Sequence, residues 1–113
     1  MRGKLTTHVV DTAHGQPAYG MQVCLYLEKV LIAKTFTNPD GRCDGPLIHG
    51  ERFVAGGYHL EFSVGDYYAS REHPDARRFL DIVPVYFIVD DPKHVYHVPL
   101  LVSPWSYSTY RGS

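Results

Sequence analysis

Hydrophobic and polar residues alternate along most of this chain, which is the pattern expected of β-strands with one buried face. The clearest run covers 57–64, where Tyr58, Leu60, Phe62 and Val64 share one face and polar residues occupy most of the other. Alternating or β-branched runs predict six further strands, at 5–12, 21–27, 30–37, 82–89, 95–102 and 106–110.

Short segments rich in turn-forming residues separate the predicted strands. The sequence Asn-Pro-Asp-Gly at 38–41 predicts a turn, and 90–93 predicts a hairpin between two β-branched runs. The connection over 27–30 is so short that it also predicts a hairpin, although Glu28 and Lys29 are not a favoured turn pair.

One segment departs from strand alternation. Residues 66–72 begin with Asp66, a candidate helix N-cap, and Pro74 follows them, so they predict a helix of about two turns. Seven to eight short strands with regularly spaced turns predict an all-β fold, an antiparallel β-sandwich with one short helix. A chain of 113 residues supports one core, and neither repeats nor linkers interrupt it, so residues 1–113 are expected to form a single domain.

Charge, hydropathy and cysteine content indicate which partners and which compartment to expect. Eleven basic and twelve acidic residues give a net charge of −1, which disfavours nucleic acids and anionic membranes as partners. The sequence has neither a long apolar span nor a signal-peptide pattern, so we expect a cytoplasmic protein. Cys24 and Cys43 lack CxxC spacing and are expected to be reduced thiols in or near the core.

The seven histidines are the main candidates for chemistry. His8 and His97 each lie in a predicted strand, and His8 shares its face with Thr6. Most histidines in such positions are structural, but a histidine is also the usual general acid or base near neutral pH. The remaining five are expected to be surface or turn residues: His14, His49, His59, His73 and His94.

Metal binding and nucleophilic catalysis find less support. His94 and His97 form an HxxH pair, but side chains three apart on a strand point to opposite faces, so no metal site is expected. No GxSxG motif marks a nucleophilic serine, and Cys43 beside Arg42 is an isolated loop cysteine of the kind that is usually incidental. The chemistry that remains is a histidine acting on water, with arginine and hydroxyl groups holding a carbonyl-rich or anionic ligand.

The C-terminus has an unusual composition. Residues 106–113 read Ser-Tyr-Ser-Thr-Tyr-Arg-Gly-Ser, a hydroxyl-rich segment of β-forming residues with an arginine near its end. Since chain ends usually fray, this composition predicts a terminus that is held in place and takes part in binding.

Four segments carry a resemblance to a known family: 5–13, 37–43, 96–104, and 106–113 with its terminal Tyr-Arg-Gly-Ser. They resemble the 5-hydroxyisourate hydrolases, the transthyretin-like enzymes of urate breakdown. The terminal tetrapeptide is the most specific part, since it separates these enzymes from transthyretins. The resemblance implies a transthyretin-like sandwich and a hydrolase that cleaves a cyclic amide C–N bond in purine catabolism.

The resemblance also implies a site and an assembly. The family forms a homotetramer, a dimer of dimers, with active sites in the channel where the dimers meet. No metal or organic cofactor is implied, and the substrate is the only small-molecule partner. The implied catalytic residues are His8, Arg42 and His97, and the implied substrate-binding residues are Arg42, Tyr110, Arg111, Gly112 and Ser113.

In the implied reaction, a histidine-activated water hydrolyses 5-hydroxyisourate to 2-oxo-4-hydroxy-4-carboxy-5-ureidoimidazoline. The ranking of His8 and His97 as the base stays open. Arg42 suits ring carbonyls or a deprotonated ring nitrogen, and Arg111 either does the same or ties the terminus down. The alternatives are a transthyretin-type carrier, which needs a wide apolar channel, and an adhesion module in which these residues are only structural.

Overall fold

A computed structural model describes residues 3–112 and shows two β-sheets packed face to face. All seven predicted strands are confirmed, with ends that differ by at most one residue, and two further strands of two residues each are present. The elements in chain order are β1 (Lys4–Asp11), β2 (Gln16–Pro17), β3 (Gln22–Leu27), β4 (Val30–Phe36), β5 (Ile48–His49), a 3₁₀ turn (Gly50–Arg52), β6 (Gly56–Ser63), α1 (Val64–Ser70), β7 (Ile82–Val89), β8 (Val95–Val102) and β9 (Tyr107–Thr109).

The first sheet carries the candidate histidines. Its strands lie in the order β2-β1-β8-β9, and β5 also pairs with β1. β1 and β8 run parallel over eight residue pairs, from Lys4 opposite Val95 to Asp11 opposite Val102. The sandwich is confirmed, but the expectation of purely antiparallel pairing is wrong here. The chain builds the whole second sheet between these strands and returns to the same end, which is the long crossover that a parallel pair requires.

The second sheet is antiparallel throughout, in the order β4-β3-β6-β7. Its first two strands are joined by the hairpin predicted over 27–30. Glu28 and Lys29 both take positive φ angles, 48° and 71°, which is the backbone of a type I′ turn. This turn matches the right-handed twist of the strands, so the hairpin forms even though neither residue is a glycine or an asparagine.

The core lies between the two sheets and is made by the alternate residues of each strand. Leu5 and Val9 of β1 are fully buried there, together with Leu25, Leu60 and Leu100 from three other strands. Because strand side chains alternate, burying these residues turns their neighbours Lys4, Thr6 and His8 to the opposite face of the sheet. No helix within residues 3–112 is long and apolar enough to cross a membrane.

Two expectations about side chains and boundaries are wrong. The helix starts two residues earlier than the predicted 66–72 and ends at Ser70, because it continues directly from β6 with Val64 already buried. His59 was expected at the surface, but only 6% of it is exposed. Its ring is stacked between Tyr26 and Tyr86, with ring centroids 4.4 Å and 4.5 Å away, so neighbouring tyrosines cover this outward-facing position.

A buried carboxylate joins the end of β1 to the helix. Asp11 is fully buried and accepts hydrogen bonds from the hydroxyls of Tyr67 and Tyr68, each at 2.7 Å. It also accepts from the backbone N–H of Ala13 and from the backbone and the ring of His14. Burial by itself would raise the pKa of Asp11, but the hydrogen bonds from His14, Tyr67 and Tyr68 outweigh it and hold that pKa below its usual value.

Replacing Asp11 with alanine is expected to lower the free energy of unfolding by about 3 kcal/mol. The buried Tyr67 hydroxyl loses its acceptor, and the Tyr68 hydroxyl keeps only the carbonyl oxygen of Val102. The contribution of the lowered pKa is complete above the unfolded-state value of about 3.9 and is lost as the pH falls through the folded-state pKa. Urea unfolding between pH 2.5 and 7 measures both effects. The control is Asp81→Ala, which removes an exposed carboxylate and should cost less than about 1 kcal/mol. Equal losses in the two variants would contradict the prediction.

Candidate active site

Two side chains from the parallel strand pair meet on the outer face of the first sheet. The register places Thr6 of β1 directly opposite His97 of β8. The Thr6 hydroxyl lies 2.8 Å from Nδ1 of the His97 ring, within hydrogen-bond distance. His97 is thus held by a side chain 91 positions away in the sequence, and the parallel register creates this contact.

The loop after β4 brings Arg42 to the same face. Asn38 organises this loop, since its Oδ1 accepts hydrogen bonds from the backbone N–H groups of Asp40 and Arg42. Gly41 has a φ of +78°, and a Cβ there would collide with the carbonyl oxygen of Val9, so the turn requires a glycine. The predicted turn at 38–41 is therefore confirmed, and it packs closely against Val9 of β1.

His8 lies next to this loop. Its backbone forms an isolated antiparallel bridge with Arg42. Its ring Nε2 lies 3.0 Å from the carbonyl oxygen of Asp40. A carbonyl oxygen only accepts, so Nε2 carries a proton and donates to it. The histidine and the arginine are thereby fixed side by side.

The C-terminal segment reaches His97 from the other side. The backbone N–H of Gly112 donates to the carbonyl oxygen of His97 at 2.7 Å. A Cβ at position 112 would lie 2.6 Å from Cδ2 of the His97 ring, so only a glycine allows the backbone to come this close. The predicted site residue Ser113 lies outside the described residues.

Tyr110 and Arg111 lie in a different place. The Arg111 guanidinium stacks over the ring of Tyr96, 4.0 Å from its centroid, and donates to the carbonyl oxygen of Val95 at 3.3 Å. Tyr110 and Arg111 line a separate cavity of about 440 Å³ between β9 and β7. Within one chain, these two residues are not brought together with His97, and the observed contacts of Arg111 are those of a residue that ties the terminus down.

The face around His97 forms an open cavity of about 710 Å³. His8 lies beside this cavity rather than in its wall. Most of the lining side chains are polar, and they include Lys4, Thr6, Asn38, Arg42, Asp44 and His97. Nothing in the sequence marked Lys4, Thr6, Asn38 or Asp44 as residues of the site. Strand alternation places Thr6 and His8 on one face, but nothing in the sequence predicts which strand lies alongside.

The surroundings of His97 favour its neutral form. Burial lowers the pKa of His97 below its usual value, and the nearby Arg42 and His8 add to this effect because a second positive charge is unfavourable there. The Cys43 thiol, which also lines the cavity, behaves in the opposite way. Burial and the Asp44 carboxylate raise the pKa of Cys43 to about 11, so the thiol stays protonated and is a poor nucleophile.

The site therefore combines a neutral histidine, an arginine and several hydrogen-bonding groups in a polar cavity. Both cysteines are free thiols, as predicted. Within residues 3–112, no group of three or more His, Cys, Asp or Glu side chains is placed to hold a metal ion. In this arrangement, the neutral His97 can take a proton from a water molecule that lies beside a carbonyl group of a bound ligand.

Comparison with known proteins relates this geometry to a family. The family model described as HIUase/Transthyretin family matches residues 5–112. A 5-hydroxyisourate hydrolase of Pseudomonas aeruginosa is 51% identical over 117 residues, which covers 98% of this chain and 92% of the relative. The chain belongs to the HIUase/Transthyretin family.

Two solved structures of differently named proteins share the fold of this chain. A crystal structure of (S)-allantoin synthase superposes with a TM-score of 0.93 and 44% identity, covering 99% of this chain but only 44% of that longer chain. Sea bream transthyretin in complex with thyroxine superposes with a TM-score of 0.84 and 26% identity, covering 96% and 94% of the two chains. The transthyretin-like sandwich implied by the sequence is confirmed. The family match spans Thr6, His8, Arg42, His97 and Gly112.

Proposed function

We propose that this protein hydrolyses 5-hydroxyisourate to 2-oxo-4-hydroxy-4-carboxy-5-ureidoimidazoline in urate breakdown. The observation that carries the proposal is the pairing of His97 with Arg42 in one polar cavity, in a chain whose curated relatives are named 5-hydroxyisourate hydrolase. A neutral base and a fixed cation are what the addition of water to an amide-like carbonyl requires.

In the proposed mechanism, His97 is the general base. It lines the cavity, and its lowered pKa keeps it neutral near pH 7. It takes a proton from water as the water oxygen attacks the ring carbonyl carbon, and the C–N bond then breaks as a proton passes to the departing nitrogen. The products of this step are a carboxylate and a ureido N–H, which is the chemistry of ring opening.

Arg42 and His8 complete the proposed site. The Arg42 guanidinium stabilises the negative charge that develops on the carbonyl oxygen, or an ionised ring nitrogen, through its planar set of donors. His8 donates from Nε2 to the carbonyl oxygen of Asp40. A positive charge on His8 adds to that of Arg42 and helps to keep the pKa of His97 low. Tyr110, Arg111, Gly112 and Ser113 are proposed to bound the substrate. Gly112 has direct support from its contact with His97, whereas Tyr110 and Arg111 line the separate cavity within one chain.

The carrier alternative has less support. Transthyretin-type binding of an apolar ring favours an apolar channel, whereas Thr6, Arg42 and His97 make this cavity polar. The deciding experiment generates 5-hydroxyisourate freshly and follows its ultraviolet absorbance with and without the protein. We expect a decay far faster than the spontaneous one, whereas an unchanged decay with folded protein would remove the hydrolase proposal and favour a carrier.

We also propose that residues 1–113 act as one domain in a homotetramer built from two dimers. The edge strands β7 and β9 support this, since Tyr86 and Ile88 of β7 and Tyr110, the residue after β9, are exposed around a shared cavity. Unprotected edges of this kind are usually covered by another chain. Light scattering at micromolar concentration is expected to give four times the 12.8 kDa mass of the chain, and a stable monomer would contradict the proposal.

A cytoplasmic location is proposed as well. The support is that Cys24 and Cys43 are both free thiols, which suits a reducing compartment. Fractionation of the source cells with an antibody against the chain tests it, and recovery outside the cytoplasm would contradict it.

Gly112→Ala is expected to lower kcat/KM by about 10–100-fold with little change in stability. The added Cβ would lie 2.6 Å from the His97 ring, so the ring must move, and small displacements of a catalytic group have effects of this size. The control is Gly45→Ala at the rim of the same cavity, where no atom lies within 4 Å of the new Cβ. Steady-state kinetics and thermal unfolding of both variants make the comparison. Activity in Gly112→Ala equal to that of the control would show that the close approach is not needed.

A further inference from the structure

We propose that Thr6 is a positioning residue that accepts a hydrogen bond from Nδ1–H of His97 and so keeps the lone pair of the ring on Nε2. This inference rests on the proposed function for its catalytic consequence. The tautomer that it assigns to His97 does not depend on the proposed function.

The contact of Thr6 differs from those of other threonines in the fold. Four threonine hydroxyls donate to backbone carbonyl oxygens, which is the usual way of satisfying a hydroxyl on or beside a strand, namely those of Thr7, Thr12, Thr37 and Thr109. Within residues 3–112, the hydroxyl of Thr6 makes its one hydrogen bond with the ring of His97. Its neighbour Thr7, one position along β1, points to the buried side and donates to Val98 instead.

The backbone on both sides of this pair is fixed. Thr6 and His97 are opposite partners in the continuous ladder between β1 and β8. The carbonyl oxygen of His97 accepts from Gly112, whose backbone also comes close to Cδ2 of the ring. The imidazole therefore has Thr6 at Nδ1 and Gly112 near Cδ2, and it has little freedom to rotate.

The hydrogen bond between Thr6 and Nδ1 is the observation that assigns the position of the proton. A neutral imidazole has one N–H and one lone pair, and the Thr6 hydroxyl accepts readily from the N–H. Burial, Arg42 and His8 lower the pKa of His97, so the ring keeps a single N–H, which the contact with Thr6 places on Nδ1. Nε2 is the nitrogen left to accept a proton from water. Removing the acceptor at Nδ1 would let the proton move between the two nitrogens.

The test compares Thr6→Val, which keeps the shape but removes the hydroxyl, with Thr6→Ser, which restores it. For Thr6→Val we expect kcat to fall by about 10–100-fold while KM changes by less than about threefold, since the hydrogen bond orients the base rather than the substrate. Thr6→Ser should recover most of the activity. The control Thr12→Val removes a hydroxyl just beyond the other end of β1 and should keep full activity. Full activity in Thr6→Val, or no recovery in Thr6→Ser, overturns the positioning role.

A second measurement separates this inference from the proposed function. Nitrogen-15 NMR of the imidazole rings is expected to show a protonated Nδ1 and an unprotonated Nε2 for His97 in the wild type, with both tautomers populated in Thr6→Val. This spectrum needs no substrate, so it decides the tautomer even for a protein that leaves 5-hydroxyisourate untouched. A wild-type His97 that carries its proton on Nε2 would overturn the inference, whereas an inactive protein with the expected spectrum would count only against the hydrolase proposal.

Discussion

His97→Ala is expected to lower kcat/KM for 5-hydroxyisourate by about 10²–10⁴-fold, the range that one positioned general base contributes. The variant should fold normally, because the ring lies on the outer face of the sheet and packs against Thr6 and Gly112 rather than in the core. The measurement is the initial rate of absorbance decay, corrected for the spontaneous reaction.

The pH profile of the wild type provides a second check on His97. The base works only when neutral, so kcat/KM falls as the pH drops through its pKa. Burial, Arg42 and His8 place the pKa of His97 below its usual value of about 6.5, so the wild type should keep its activity at pH values where an ordinary histidine is already charged. His94→Ala is the matched control, since it removes an exposed histidine three positions earlier. A profile that begins to fall well above pH 6.5 would contradict the assignment, as would equal activities of the two variants.

Arg42→Ala is expected to lower kcat/KM by about 10²–10³-fold, the usual cost of removing one group that stabilises a developing oxyanion. It should also move the acidic limb of the pH profile to higher pH. The positive charge of Arg42 is one reason why the pKa of His97 is low, so removing the charge raises this pKa and protonates the base earlier as the pH falls.

Two further variants make the Arg42 result specific. Arg42→Lys keeps the charge without the planar set of donors, so it should retain the wild-type acidic limb but recover only part of the rate. Arg78→Ala makes the same charge change at an exposed residue whose guanidinium donates to the carbonyl oxygen of Pro74, and it should match the wild type. If Arg42→Ala lost its rate without any shift of the acidic limb, Arg42 would act on the substrate and not on His97.

Much of the fold could be predicted from local pattern. The seven strands were predictable because burial on one face imposes a period of two. The turn at 38–41 was predictable because turns require particular residues, and the hairpin at 27–30 because the connection is so short. The helix boundary and His59 were not predictable in this way. Both depend on what packs over a residue: Val64 is buried where β6 continues into the helix, and two tyrosines cover His59.

The candidate site shows the same division. The residue types and the unusual composition pointed to His8, His97 and the C-terminal segment, and the family resemblance added Arg42 and grouped these residues into one site. Strand alternation places Thr6 and Thr7 on opposite faces, but the sequence does not predict which strand lies beside them. Only the ladder between β1 and β8 brings the ring of His97 to the Thr6 hydroxyl and the carbonyl of Val98 to the Thr7 hydroxyl.

By itself, the sequence determined the sandwich of short strands, the glycine-dependent turn that carries Arg42, and the chemical groups available for catalysis. These depend on neighbouring residues, whose burial pattern and backbone preferences are local. The tertiary structure alone decided that β1 and β8 run side by side in parallel, so that Thr6 meets His97 across 91 positions, and that Arg111 turns away toward Tyr96. Such contacts depend on strand order and register, which follow from how two whole sheets share one core and not from any single segment.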